Sequence, residues 1–228
     1  MRKLLFLVLF MVACAPASFA QTTDESRAEI FLGYSHMQAE GIGGVDTQED
    51  SFDDEVFGER VGLNGFNAAI TGFVTPRFGL TGDFSFNQRS DTTGTDTDRS
   101  RLETRVINVL GGPTVRFTSE SRVTPFVRAL AGVANTRFEA ENRVQLPTGT
   151  TTNQFDTNST DFALALGGGV DVKLSDRIGL RLIQFDYNPV FLRDRSISVL
   201  GQTGALATQT LEGQRSDNLR FSFGITIK

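Results

Sequence analysis

The stretch Asn218-Leu219-Arg220-Phe221-Ser222-Phe223-Gly224-Ile225-Thr226-Ile227-Lys228 decides the fold. Large apolar side chains occupy every odd position from Leu219 to Ile227, and polar or small residues occupy every even one. A helix would scatter Arg220 and Lys228 around its circumference, whereas a strand puts each set on one face. The segment from Asp161 to Leu174 repeats the pattern: Phe162, Leu164, Leu166, Val170 and Val172 lie against Asp161, Ala163, Ala165, Gly167, Asp171 and Lys173. Period two dominates.

Six further strands are expected. Ala28–Gln38 sets Ile30, Leu32 and Tyr34 against Glu29, Gly33 and Ser35; Gly62–Thr75 sets Phe66, Ala68, Ile70 and Val74 against Asn67, Ala69 and Thr71. Phe78–Asn87 sets Leu80, Phe84 and Phe86 against Thr81, Asp83, Ser85 and Asn87. Leu102–Phe117 offers Ile107, Val109, Val115 and Phe117 as its apolar face. Val123–Arg137 sets Val123, Val127, Ala129 and Val133 against Thr124, Arg128, Gly132 and Thr136. Ile178–Tyr187 changes phase, because Phe185 and Tyr187 fall out of step with Leu182, and a β-bulge near Ile183 accounts for it.

The connections alternate in length. Short links fall at Thr75-Pro76-Arg77, Thr118–Arg122 and Ser175-Asp176-Arg177, and long polar ones at Ala39–Val61, Gln88–Arg101, Phe138–Thr160 and Asn188–Asp217. Tight turns at one end and long loops at the other are how outer-membrane barrels are built, with turns periplasmic and loops extracellular. The expected fold is therefore all-β: an eight-stranded antiparallel up-and-down transmembrane β-barrel. A soluble lipocalin-like barrel would turn the apolar faces inward. The membrane arrangement is preferred because Asp83, Arg128, Asp171, Lys173, Arg181 and Arg220, of mixed sign, sit on the polar faces among small residues. An eight-stranded interior is just filled by side chains, so such ions neutralise and plug it, with Asp171 and Asp83 the candidate partners of Arg220.

The chain has 228 residues, 22 Lys+Arg and 27 Asp+Glu. Arg2 and Lys3, the apolar run Leu4–Ala13 and Ser18-Phe19-Ala20 form an export signal over residues 1–20, leaving the barrel domain at 21–228. Without those two basic residues the net charge of −5 becomes −7, which excludes the basic face that nucleic acid requires. Cys14, the single cysteine, lies within the signal; Met11-Val12-Ala13-Cys14 approximates a lipobox, but cleavage after Ala20 is the better fit. No later apolar run reaches the ~18 residues of a membrane helix, while a barrel strand needs only ~9–11.

The chain resembles the outer-membrane protein β-barrel domain family, small barrels related to the membrane domain of outer-membrane protein A. The carrying residues are Ala28-Glu29-Ile30-Phe31-Leu32-Gly33-Tyr34, Thr124-Pro125-Phe126 with Gly132, Phe162 through Asp171, and Phe221-Ser222-Phe223-Gly224. The resemblance implies the bacterial outer membrane of a Gram-negative cell, with lipid, lipopolysaccharide and the barrel-assembly machinery as partners and a monomeric state. Two departures stand out: such barrels usually end in an aromatic residue, where this chain has Ile227-Lys228, and tryptophan is absent.

No enzymatic site, cofactor or metal is expected. Some small barrels modify lipid A with a His, a Ser and an acid at the outer rim, and His36 is the single histidine. Ser35 is its neighbour, and adjacent strand residues face opposite ways, so the two do not pair. Asp46, Glu49, Asp50, Asp53, Asp54 and Glu55 form an acidic stretch without EF-hand spacing. Gly41-Ile42-Gly43-Gly44 and Gly167-Gly168-Gly169 lack the strand–loop–helix setting of a phosphate loop. The expected role is structural or surface-interactive, with a lipid-acting enzyme or small-solute channel as the alternative.

Overall fold

A computed structural model describes residues 28–40, 60–94, 98–117, 122–146, 149–193, 195–200, 206–211 and 215–228. Its strands are β1 (Ala28–Glu40), β2 (Arg60–Phe73), β3 (Phe78–Gly94), β4 (Asp98–Arg116), β5 (Val123–Leu146), β6 (Gly149–Lys173), β7 (Ile178–Phe191), β8 (Arg195–Leu200), β9 (Leu206–Leu211) and β10 (Arg215–Ile227). Eight of them close a barrel in the order β1-β10-β7-β6-β5-β4-β3-β2, every neighbour antiparallel, while β8 and β9 pair only with each other. Closure removes the sheet edges that an open sheet would expose.

The alternation in the sequence becomes the barrel wall. Ile30, Leu32, Phe66, Ile70, Leu80, Val109, Val127, Leu166, Phe223 and Ile225 point outward and stay exposed. Asp83, Arg128, Asp186 and Arg220 point inward and are buried. A continuous apolar band this large is foreign to a water-soluble surface and matches the lipid-facing belt of a membrane barrel. Tilted aromatic pairs on this face, Tyr34–Phe223 at 5.3 Å and Phe185–Phe221 at 5.1 Å, knit neighbouring strands together.

The phase change in β7 is a bulge. Val170 pairs with Ile183 while Asp171 pairs with Arg181, and on the other side Ser222 pairs with Gln184 while Gly224 pairs with Arg181. Leu182 and Ile183 are both 53% exposed, so two consecutive side chains face outward and Gln184 and Asp186 return inward.

At the turn end the links are as short as expected. Val74 N donates to Phe78 O (2.9 Å) and Thr75 Oγ1 accepts from Phe78 N (3.0 Å); Leu174 N and Ser175 Oγ treat Ile178 in the same way. The tight 175–177 turn carries Asp176, held below the usual carboxylate range by the Lys173 ammonium 2.8 Å away. Residues 118–121 of the second short link lie outside the described residues.

The far end departs from expectation. Gln88–Arg101 and Phe138–Thr160, read as loops, are largely strand: the β3–β4 ladder runs out to Gly94↔Arg99 and the β5–β6 ladder to Leu146↔Gly149. Their Thr, Asn and Arg content hid the strands, because outside the membrane neither face needs an apolar set. The link Asn188–Asp217 holds the ends of β7 and β10 and the β8–β9 hairpin.

Candidate functional site

Two features occupy the barrel interior: an ion-paired plug, and a cavity at the far end. In the plug, Arg128 presents its fork to Asp186, Nε donating to Oδ1 (2.8 Å) and Nη2 to Oδ2 (2.7 Å), while its Nη1 donates to Asp83 (2.9 Å). Arg220 closes the square, donating to Asp83 Oδ1 (3.0 Å) and through Nε and Nη2 to Asp186 Oδ2 (3.2 and 3.1 Å). Two cations and two anions, with side chains at most 1% exposed, therefore cancel across strands β3, β5, β7 and β10.

Nearer the turns lies a second cluster. Arg181 forks onto Asp171 (2.7 and 3.0 Å) and reaches Glu29 (3.0 Å). Its guanidinium is sandwiched between the rings of Phe31 and Phe126, 4.4 and 4.2 Å from their centroids. Gln184 joins the clusters, accepting from Arg181 Nη1 (2.7 Å) and donating to Asp186 (2.9 Å). Glycines make the room: a Cβ on Gly169 would come within 2.8 Å of the Phe126 ring, and one on Gly167 would collide with Asp186. That is the physical role of Gly167-Gly168-Gly169, which holds no phosphate-loop geometry.

Beyond the plug a layer of neutral amides follows. Asn87 Nδ2 donates to Ser35 O (3.1 Å), Asn108 Nδ2 to Ser85 Oγ (3.1 Å), and Asn218 Nδ2 to Asn188 O (3.2 Å). Apolar clusters then line the wall, one of Met37, Leu63 and Val106, the other including Leu130, Ala163 and Val190. Above them opens a cavity of about 510 Å3, whose walls include Val61, Val106, Thr136, Phe138, Val190 and Leu192. Polar residues continue to this end of the barrel, where Thr104, Thr136, Ser216 and Asn218 share the lining with the apolar side chains.

Most of the predicted interior charges meet as expected, with two corrections and two omissions. Lys173 points out of the plug, half-exposed at the turn rim, because β6 ends at that residue. Asp171, a candidate partner for Arg220, pairs with Arg181 instead; Asp83, the other candidate, does pair with Arg220. Asp186 and Glu29 went unrecognised as ion partners. The bulge already implied Asp186, since a phase change after Ile183 turns it inward.

His36 and Ser35 face opposite sides, as adjacency requires. Ser35 is buried within the barrel, whereas His36 Nδ1 lies 2.8 Å from Asn64 Oδ1, which also accepts from Tyr34 Oη (2.6 Å) on the outer surface. Among the described residues no group of three His, Cys, Asp or Glu is arranged to hold a metal ion. The acidic stretch from Asp46 to Glu55, Gly41–Gly44 and Cys14 lie outside the described residues.

The chain is similar in fold to Ail, the attachment invasion locus protein of Yersinia pestis, solved with the heparin analogue sucrose octasulfate: 14% identity, 88% of this chain and 97% of that one covered, TM-score 0.44. Neisserial surface protein A matches at 13% identity, covering 89% and 97%, with TM-score 0.44. The outer membrane protease OmpT of Escherichia coli matches at 9% identity, covering 93% and 99%, with TM-score 0.45. No curated protein sequence matches the chain. The outer membrane protein beta-barrel domain model matches residues 5–212, and with the closed eight-stranded barrel this establishes that the chain belongs to that family of bacterial outer-membrane proteins.

Proposed function

We propose that this protein is a non-enzymatic, non-conducting outer-membrane barrel that works at the cell surface through the strand extensions beyond its far end. The ion-paired plug is the observation that carries this reading. A conducting barrel needs a continuous wet path, and here Arg128, Arg220, Asp83 and Asp186 fill the section with groups that satisfy one another. Ionic groups so paired are expensive to separate, which leaves little freedom for a gate at this level. The turns face the periplasm and the extended β3–β4 and β5–β6 hairpins face outward, following the general arrangement of such barrels. Lipid, lipopolysaccharide and the assembly machinery are its partners, and the barrel works as a monomer. Residues 1–20 direct export and are removed, so intact-mass measurement of the mature protein is expected to give an unlipidated start at Gln21; diacylglycerol on Cys14 would overturn that.

Planar-bilayer recording tests the main reading. The purified barrel is expected to insert without stepwise conductance in molar salt. Stable ohmic steps that vanish on omitting the protein would refute a plugged interior and favour a channel.

A further inference from the structure

We propose that the far-end cavity is a binding site for a small anionic amphiphile, a single alkyl chain carrying one carboxylate-like head. Its volume, about 510 Å3, lies within the roughly 300–1,000 Å3 of small-molecule sites. The walls supply the apolar half of the recognition: Val61, Val106, Phe138, Val190 and Leu192 line the hollow. The surface lining the hollow is mainly apolar, although Thr104, Thr136, Ser216 and Asn218 also contribute to it, and this favours an alkyl chain over a sugar or a free phosphate.

Charge selects the head. Arg60 lines the same cavity, and its Nη1 is buried without a hydrogen-bond partner among the described residues. Arg60 acts electrostatically on Asp217, but a buried donor atom without an acceptor remains costly, and an anion placed against Nη1 would remove that cost. The neighbouring acids are already engaged. Glu40 Oε2 accepts from Asp217 N (2.6 Å), Asp91 is paired with Arg89, and Asp217 accepts from Tyr187 Oη (2.6 Å) and Arg215 Nη2 (2.8 Å). Of the two cations lining this mouth, Arg89 is paired with Asp91, and Arg60 keeps an open donor. The alkyl chain would lie on Val106 and Val190, and the head on Arg60 at the rim. The site is independent of the plug below it, so a conducting barrel would leave this proposal standing, and failure here would leave the plug standing.

Equilibrium dialysis of radiolabelled dodecanoate tests the site, using the full barrel in lipid nanodiscs against empty nanodiscs of the same lipid. The expected result is saturable excess binding of one dodecanoate per barrel. Thr136→Trp and Thr104→Trp, each filling the hollow from a different strand, should both abolish it while leaving heat-dependent gel migration of the folded barrel intact. Arg60→Gln should weaken dodecanoate binding about tenfold or more, Arg60→Lys should restore most of it, and dodecanol binding should not respond to either. Absence of excess binding, or excess binding that survives both Trp variants, would overturn the site. Dodecanoate binding indifferent to Arg60→Gln would overturn the anionic head.

Discussion

Asp186 accepts hydrogen bonds from Arg128, Arg220 and Gln184, so one carboxylate ties β5, β10 and β7 together inside the barrel. Removing its charge leaves two wholly buried guanidiniums facing Asp83 alone. Breaking a buried pair by deleting one partner costs about 3–5 kcal/mol, because the remaining charge stays desolvated. Asp186→Asn is therefore expected to lower folding stability by about 3–5 kcal/mol in urea titrations followed by the folded and unfolded gel bands. Adding Arg220→Leu restores one cation to one anion, and the double variant should recover part of the loss. If the double variant loses the sum of both single effects, the square of charges is not a coupled unit. Gly167 belongs to the same unit, since any side chain there would push against Asp186.

The bulge in β7 shows what the sequence reveals at the scale of an element. Leu182 is the extra residue: without it Arg181 would still face Gly224 and Asp171, and Ile183 would take its place opposite Phe223. Every other side chain would keep its face and partner. Deletion of Leu182 is expected to leave a folded, heat-modifiable barrel. Deletion of Leu32 is expected to prevent folding, because β1 is in unbroken register with both neighbours and a one-residue slip exchanges its two faces. Equal behaviour of the two deletions would contradict the assigned register.

The phase change was legible because two apolar residues stood out of step with Leu182, and lipid enforces that alternation on every membrane-spanning strand. The outer halves of β5 and β6 were not legible. Their outer stretch, with Arg137 paired to Glu139 and Asp156 and Asn135 bonded to Asn158, has no lipid-facing side to impose an apolar period. The apolar cavity was hidden for a related reason. Its residues sit in stretches where apolar and polar positions mix, and only closure of the barrel brings Val61, Val106 and Val190 together.

At the scale of the whole molecule the barrel is one inversion: apolar residues outside, ions inside. Cysteine scanning along residues 219–227, in outer membranes, tests the inversion most directly. The native chain contributes little background, since Cys14 is its single cysteine. Lipid-soluble maleimides are expected to label the positions of Leu219, Phe221, Phe223, Ile225 and Ile227, and to leave those of Arg220, Ser222, Gly224 and Thr226 unlabelled. Labelling of the even positions instead, or labelling without a period of two, would contradict a lipid-facing barrel.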